Sequence, residues 1–147
     1  MEDRYLFKAK RIDNGEWVQG ALFNGESHCI IGQEIKFSPY TEHECKIVGY
    51  EVDRDTICQC TGLKDKNGKL IRENDIDKKE FYTDYDNCAN SEEYVGVVKY
   101  TDCAWVIETI RDKCTRPILE AMSYSEDVKH FEVIGNIFDN PELLEVG

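Results

Sequence analysis

The stretch from Cys60 to Ile76 constrains this chain most, because three places where the backbone can reverse fall within seventeen residues. Gly62, Asn67-Gly68 and Asn74-Asp75 are all turn-competent. Between them Leu63 and Leu70-Ile71 favour burial. A long helix is incompatible with that spacing. Short strands joined by tight turns are what it predicts.

The rest of the chain reads the same way. Residues 4–12 alternate in polarity and form a strand. Asp13-Asn14-Gly15 reverses it into a return strand over 16–23, and Asn24-Gly25 turns again into His28–Ile31. Ile35–Phe37 is a short extended piece stopped by Ser38-Pro39, and 45–52 and 56–60 are further strands. Ile76–Tyr82 continues extended. Residues 83–93 lack any period and predict a loop. Strands follow at 94–100, 103–110 and 131–138. Pro117 predicts the start of a short helix through Met122, and Asn140-Pro141 caps another over 141–146, with Leu143 and Leu144 offered to a partner.

Three blocks resemble the YopX family of phage and prophage proteins. Thr61–Lys69 with Glu73-Asn74-Asp75-Ile76 is the central one. Tyr5–Ile12 with Gly15–Gly20 resembles the family's N-terminal hairpin, and Val133–Leu144 its C-terminal signature. The chain departs from the pattern at Asn74, where glycine is expected, and at Asp77, where an aliphatic residue is expected. Asparagine tolerates positive φ better than other side chains, so the turn at Asn74 survives. The resemblance implies an SH3-type β-barrel on the part built around residues 60–76, a prophage origin and a homo-oligomer. It supplies no catalytic residues. The expected fold is therefore mainly β: a small N-terminal antiparallel sheet over residues 1–58, then an SH3-like barrel region over 59–147 with short helices near the C-terminus.

Composition limits the function classes. The 147 residues carry a net charge of −12, which argues against a large phosphate-binding surface. The charge is uneven. Lys64, Lys66, Lys69 and Arg72 lie within nine residues that hold a single acid, Asp65. Glu73–Glu93 then holds eight acids and two bases. The longest apolar runs are a few residues, far below the roughly 20 that cross a bilayer. Met1–Arg4 has no signal-peptide character, so a cytoplasmic protein is expected. Seven cysteines, an odd number, are expected as free thiols rather than a disulfide framework.

Chemistry-bearing motifs are sparse. His43-Glu44-Cys45 and Cys58-Gln59-Cys60 would make a zinc site only if Cys45 met Cys60, and zinc knuckles of Cys-x-x-Cys type are missing. Asp84-Tyr85-Asp86-Asn87 fails the spacing of a calcium loop. There is no nucleophile elbow and no phosphate-cradling glycine loop. The expectation is a non-enzymatic, cofactor-free, oligomeric protein-binding module, with Asp84, Asp86, Glu92 and Glu93 as interface residues. The alternatives are a weak nucleic-acid binder using Lys64, Lys66, Lys69 and Arg72, and an acidic DNA mimic.

Overall fold

A tight turn at Gly15, whose φ is +71°, folds the first strand back on the second. The computed structural model describes residues 5–36, 45–85, 88–109, 115–117 and 131–145. The chain divides into two compact units, Met1–Cys60 and Thr61–Gly147.

The first unit is built on β1 (Phe7–Lys10), β2 (Trp17–Asn24), β3 (Cys29–Lys36) and β4 (Cys45–Glu51), a meander completed by the start of β5 (Cys58–Lys64). The six-stranded sheet has the order β4-β3-β2-β1-β5-β6, its last strand being β6 (Leu70–Arg72). β2 serves two partners in turn: Trp17–Gly20 pair with β1 and Ala21–Asn24 with β3. Gly20 stands at the change of partner, and a Cβ there would lie 2.2 Å from the Gly32 carbonyl oxygen. Only glycine lets the two strands approach this closely. An isolated antiparallel bridge joins Arg11 to Val52. Ala9, Val18, Cys29, Ile31 and Val52 form the core, with Phe7, Leu22, Tyr50 and Ile57 packed around it. β3 is continuous through Gly32–Glu34, where the sequence predicts a break, because β4 pairs with it over Ile30–Lys36.

In the second unit the organising stretch bends where its turn residues lie: Gly62, Gly68 and Asn74 have φ of 84°, 78° and 65°. β5 and β6 (Leu70–Arg72) flank the turn at residues 65–69. Beyond Asn74 come β7 (Asp75–Tyr85), β8 (Cys88–Thr101), β9 (Ala104–Thr109), β10 (Thr115–Pro117) and β11 (Phe131–Asn136). Their sheet has the order β10-β9-β8-β7-β11. Its core is Ile71, Val98, Ile107, Phe131 and Val133, joined by Leu63 and Trp105.

The protein is mainly β, with two antiparallel sheets, and neither closes into a barrel among the described residues. Three expectations are corrected. The predicted loop over 83–93 is strand at 83–85 and 88–93, its described residues: β7 and β8 pair continuously from Ile76↔Val97 to Tyr85↔Cys88. Cross-strand pairing with a long partner overrides the weak intrinsic strand preference of Asp and Asn there. Pro117 ends the terminal strand β10 instead of opening a helix, a position that suits a residue with no amide hydrogen; the remainder of that predicted helix lies outside the described residues. The C-terminal helix is one 3-10 turn, Pro141–Leu144. Asn140 makes no side-chain cap there; its carboxamide oxygen turns back to the Asn136 amide at 3.3 Å. Leu143 and Leu144 are half-buried, not displayed.

Candidate functional site

The second unit buries a carboxylate that its surroundings do not satisfy. β7 is flanked by β8 and β11, and Asp77 stands opposite Gly96 on one side and Val133 on the other. Directly opposed residues share a sheet face. Asp77 therefore lies on the face that carries Val98, Phe131 and Val133, the core face. It is 1% exposed, and neither carboxylate oxygen has a hydrogen-bond partner. Burial raises its pKa from 3.8 to about 7, and the neighbouring Asp75 and Asp65 push it the same way while Lys69 opposes them.

The two other carboxylates are committed. Asp65 Oδ1 accepts the amides of Asn67 (2.8 Å) and Lys69 (2.9 Å), and its Oδ2 accepts that of Val133 (3.0 Å). Asp75 Oδ2 accepts the Arg72 amide at 2.7 Å. Asp65 is buried because it organises the 65–69 turn and ties it to β11. Among the described residues no set of three or more His, Cys, Asp or Glu side chains converges to hold a metal ion.

The proposed zinc ligands are separated by topology. β4 pairs with β3 and β5 with β1, so the hairpin needed to join Cys45 to Cys60 does not form. Cys45 is exposed at the end of β4, whereas Cys58 and Cys60 are fully buried. His43 lies outside the described residues. Cys29, Cys45, Cys58, Cys60 and Cys103 are not joined in disulfides.

The four candidate nucleic-acid residues lie along the β5–β6 hairpin without forming a uniform basic patch. Lys64, Lys66 and Lys69 are exposed and Arg72 is half-buried. Lys66 is bound to Glu132 at 2.7 Å, and Arg72 Nη1 donates to the Leu70 carbonyl at 3.3 Å. Of the four acidic interface candidates, Glu93 is exposed and paired with Lys78 at 2.6 Å. Asp84 and Glu92 lie in the β7–β8 ladder, opposite Ala89 and Phe81. Asp86 is outside the described residues.

Two concavities lie among the described residues of the first unit. One, of about 510 Å³, has Lys10, Arg11 and Arg54 in its lining. Arg11 is held by Asp13, and Arg54 donates to the carbonyls of Gly25 (2.7 Å) and Glu26 (3.1 Å), so the positive charge there is already engaged. The other, of about 470 Å³, is an open groove along Gly20, Ala21 and Gly32, bordered by Leu6 and Ile47. Its floor is backbone, because two of those residues lack side chains. Ile47 rises beside it, 77% exposed on β4, the terminal strand of the sheet. Phe23, 66% exposed, stands on the same face, which Ala21, Gly32 and Ile47 share through the strand register. This face had no signature in the sequence, since an apolar residue on a terminal strand reads like one in a core.

Comparison with curated proteins gives no match. The sequence profile of the family described as YopX protein matches residues 6–145, nearly the whole length. The central turn, the N-terminal hairpin from Leu6 onward and the Val133–Leu144 segment that carry the resemblance fall within the match, and the chain belongs to the YopX protein family.

Proposed function

We propose that this protein is a non-enzymatic, prophage-type accessory protein of the cytoplasm that self-associates through the outer face and terminal strand of its first unit. The exposure of Ile47 beside a glycine-floored groove carries this reading. An apolar side chain on a terminal strand invites strand addition, in which main-chain groups supply affinity and alternate side chains specificity. A second copy is a fitting occupant. Antiparallel pairing of β4 with itself about Val48, on a two-fold axis normal to the sheet, sets Ile47 against Gly49 and Lys46 against Tyr50. A branched side chain then meets a residue with none, and a cation meets an aromatic ring.

Nucleic-acid binding is the weaker reading, given the net charge of −12 and the engagement of Lys66 by Glu132. The native mass of the purified protein across a concentration series tests the proposal. A dimer that dissociates on dilution is expected; a monomer at every concentration contradicts it.

A further inference from the structure

We propose that Asp77 acts as a proton-operated latch that holds the β5–β6 hairpin on the sheet of the second unit. The fates open to this side chain are few. A carboxylate cannot remain ionised in an apolar core without partners, so it must either keep its proton or reach water. β7 cannot rotate to expose it, because ladders to β8 and β11 hold the strand on both sides at Asp77. The hairpin is the lighter attachment. Apart from the packing of Leu63 and Ile71, it is tied to β11 by the Lys66 amide to the Phe131 carbonyl (2.9 Å), the Val133 amide to Asp65 Oδ2 (3.0 Å) and the Lys66–Glu132 ion pair.

The charged groups around Asp77 set the direction. Along its own strand, Asp75 and Lys79 share its face, and Lys79 lays its ammonium 4.7 Å from the Phe131 ring centre. The hairpin contributes Asp65 and Lys69. The residues opposite it on β8 and β11, Gly96 and Val133, carry no charge. A proton on Asp77 leaves two acids in this cluster, each already bonded to amides. Loss of that proton adds a third negative charge where Lys69 is the opposing base on the hairpin. Lifting the hairpin lets water solvate the new charge and separates Asp65 from it. The buried group's raised pKa places this change near neutrality.

Amide hydrogen exchange of the full-length protein at pH 5 and pH 8, resolved by residue and corrected for intrinsic exchange, tests the latch. The Lys66 and Val133 amides are expected to open about a hundred-fold more at pH 8 in the wild type. The Val52 amide, bonded to Cys29 in the first unit, is the reference and is expected to stay unchanged. Asp77→Leu, or Asp77→Asn if the leucine variant does not fold, is expected to abolish the rise. The latch is overturned if wild-type Lys66 and Val133 show no rise, if the rise persists in the variant, or if the β7–β8 amides open in step with them.

Discussion

Asp65 and Val133, 68 residues apart in sequence, are joined by a hydrogen bond from the Val133 amide to the Asp65 carboxylate. The same carboxylate closes the turn between β5 and β6. One side chain therefore fixes both the shape of the hairpin and its place on the sheet. Replacing Asp65 with alanine removes three charge-assisted acceptor contacts to backbone amides, two of them within the turn. The expected cost is about 3 kcal/mol, since buried amides left without an acceptor cost on the order of 1–3 kcal/mol each and the losses are not additive. Asp65→Asn retains an acceptor oxygen and should cost less. Urea unfolding of both variants measures this.

Asp77 makes stability depend on pH in the opposite sense to a paired carboxylate. The ordinary pKa of such a side chain is 3.8, and in the fold it is about 7. The folded state thus holds a proton that the unfolded state has lost. The stability this provides is fully present below pH 3.8 and is lost as pH rises through 7. At about 1.4 kcal/mol per pH unit the swing approaches about 4 kcal/mol. The stability of Asp77→Leu relative to wild type should accordingly grow by about that amount between pH 4 and pH 8. Thermal or denaturant unfolding at the two pH values checks it, and the difference between the proteins removes the contribution of every other titrating group.

Gly135 lies where a side chain would strike Asn140: a Cβ there would stand 2.5 Å from the Asn140 Oδ1. Asn140 cannot yield freely, because that oxygen accepts the Asn136 amide. Asn136 in turn accepts the amides of Phe138 and Asp139, both at 3.0 Å. Gly135→Ala is expected to cost about 1–3 kcal/mol through overpacking. Gly25→Ala is the useful contrast, since the ring of the exposed Phe23, 3.0 Å from its Cβ, can swing aside more readily, although the His28 carbonyl at 2.9 Å sets a limit. Unfolding midpoints of the two variants compare them.

Chelation should leave the protein unchanged. Cys45 is separated from the buried Cys58 and Cys60 by strand pairing, so a zinc-dependent fold is not expected. The unfolding temperature with and without a strong chelator tests this; a large drop on chelation contradicts it.

The local turns were legible because each depends on residues adjacent in sequence. Asn74 adopts the positive φ expected of it, and Gly15, Gly62 and Gly68 do likewise. The family was legible from the same residues. What could not be read was long-range. The strand at 83–85 and 88–93 exists through the pairing of β7 with β8, and the separation of Cys45 from Cys60 follows from β5 joining β1 instead of β4. Asp77 stood out only as a departure from an aliphatic pattern. Its burial depends on β11, more than fifty residues further along, which no local reading supplies.

The association of first units through β4 is tested most directly by sedimentation equilibrium of the wild type beside Ile47→Lys. Ile47 is largely exposed, so the substitution should change folding stability by no more than about 0.5 kcal/mol. A wild-type dimer and a monomeric variant with an unaltered unfolding curve are the predicted result. Equal masses for the two proteins, whether both monomeric or both associated, would contradict it.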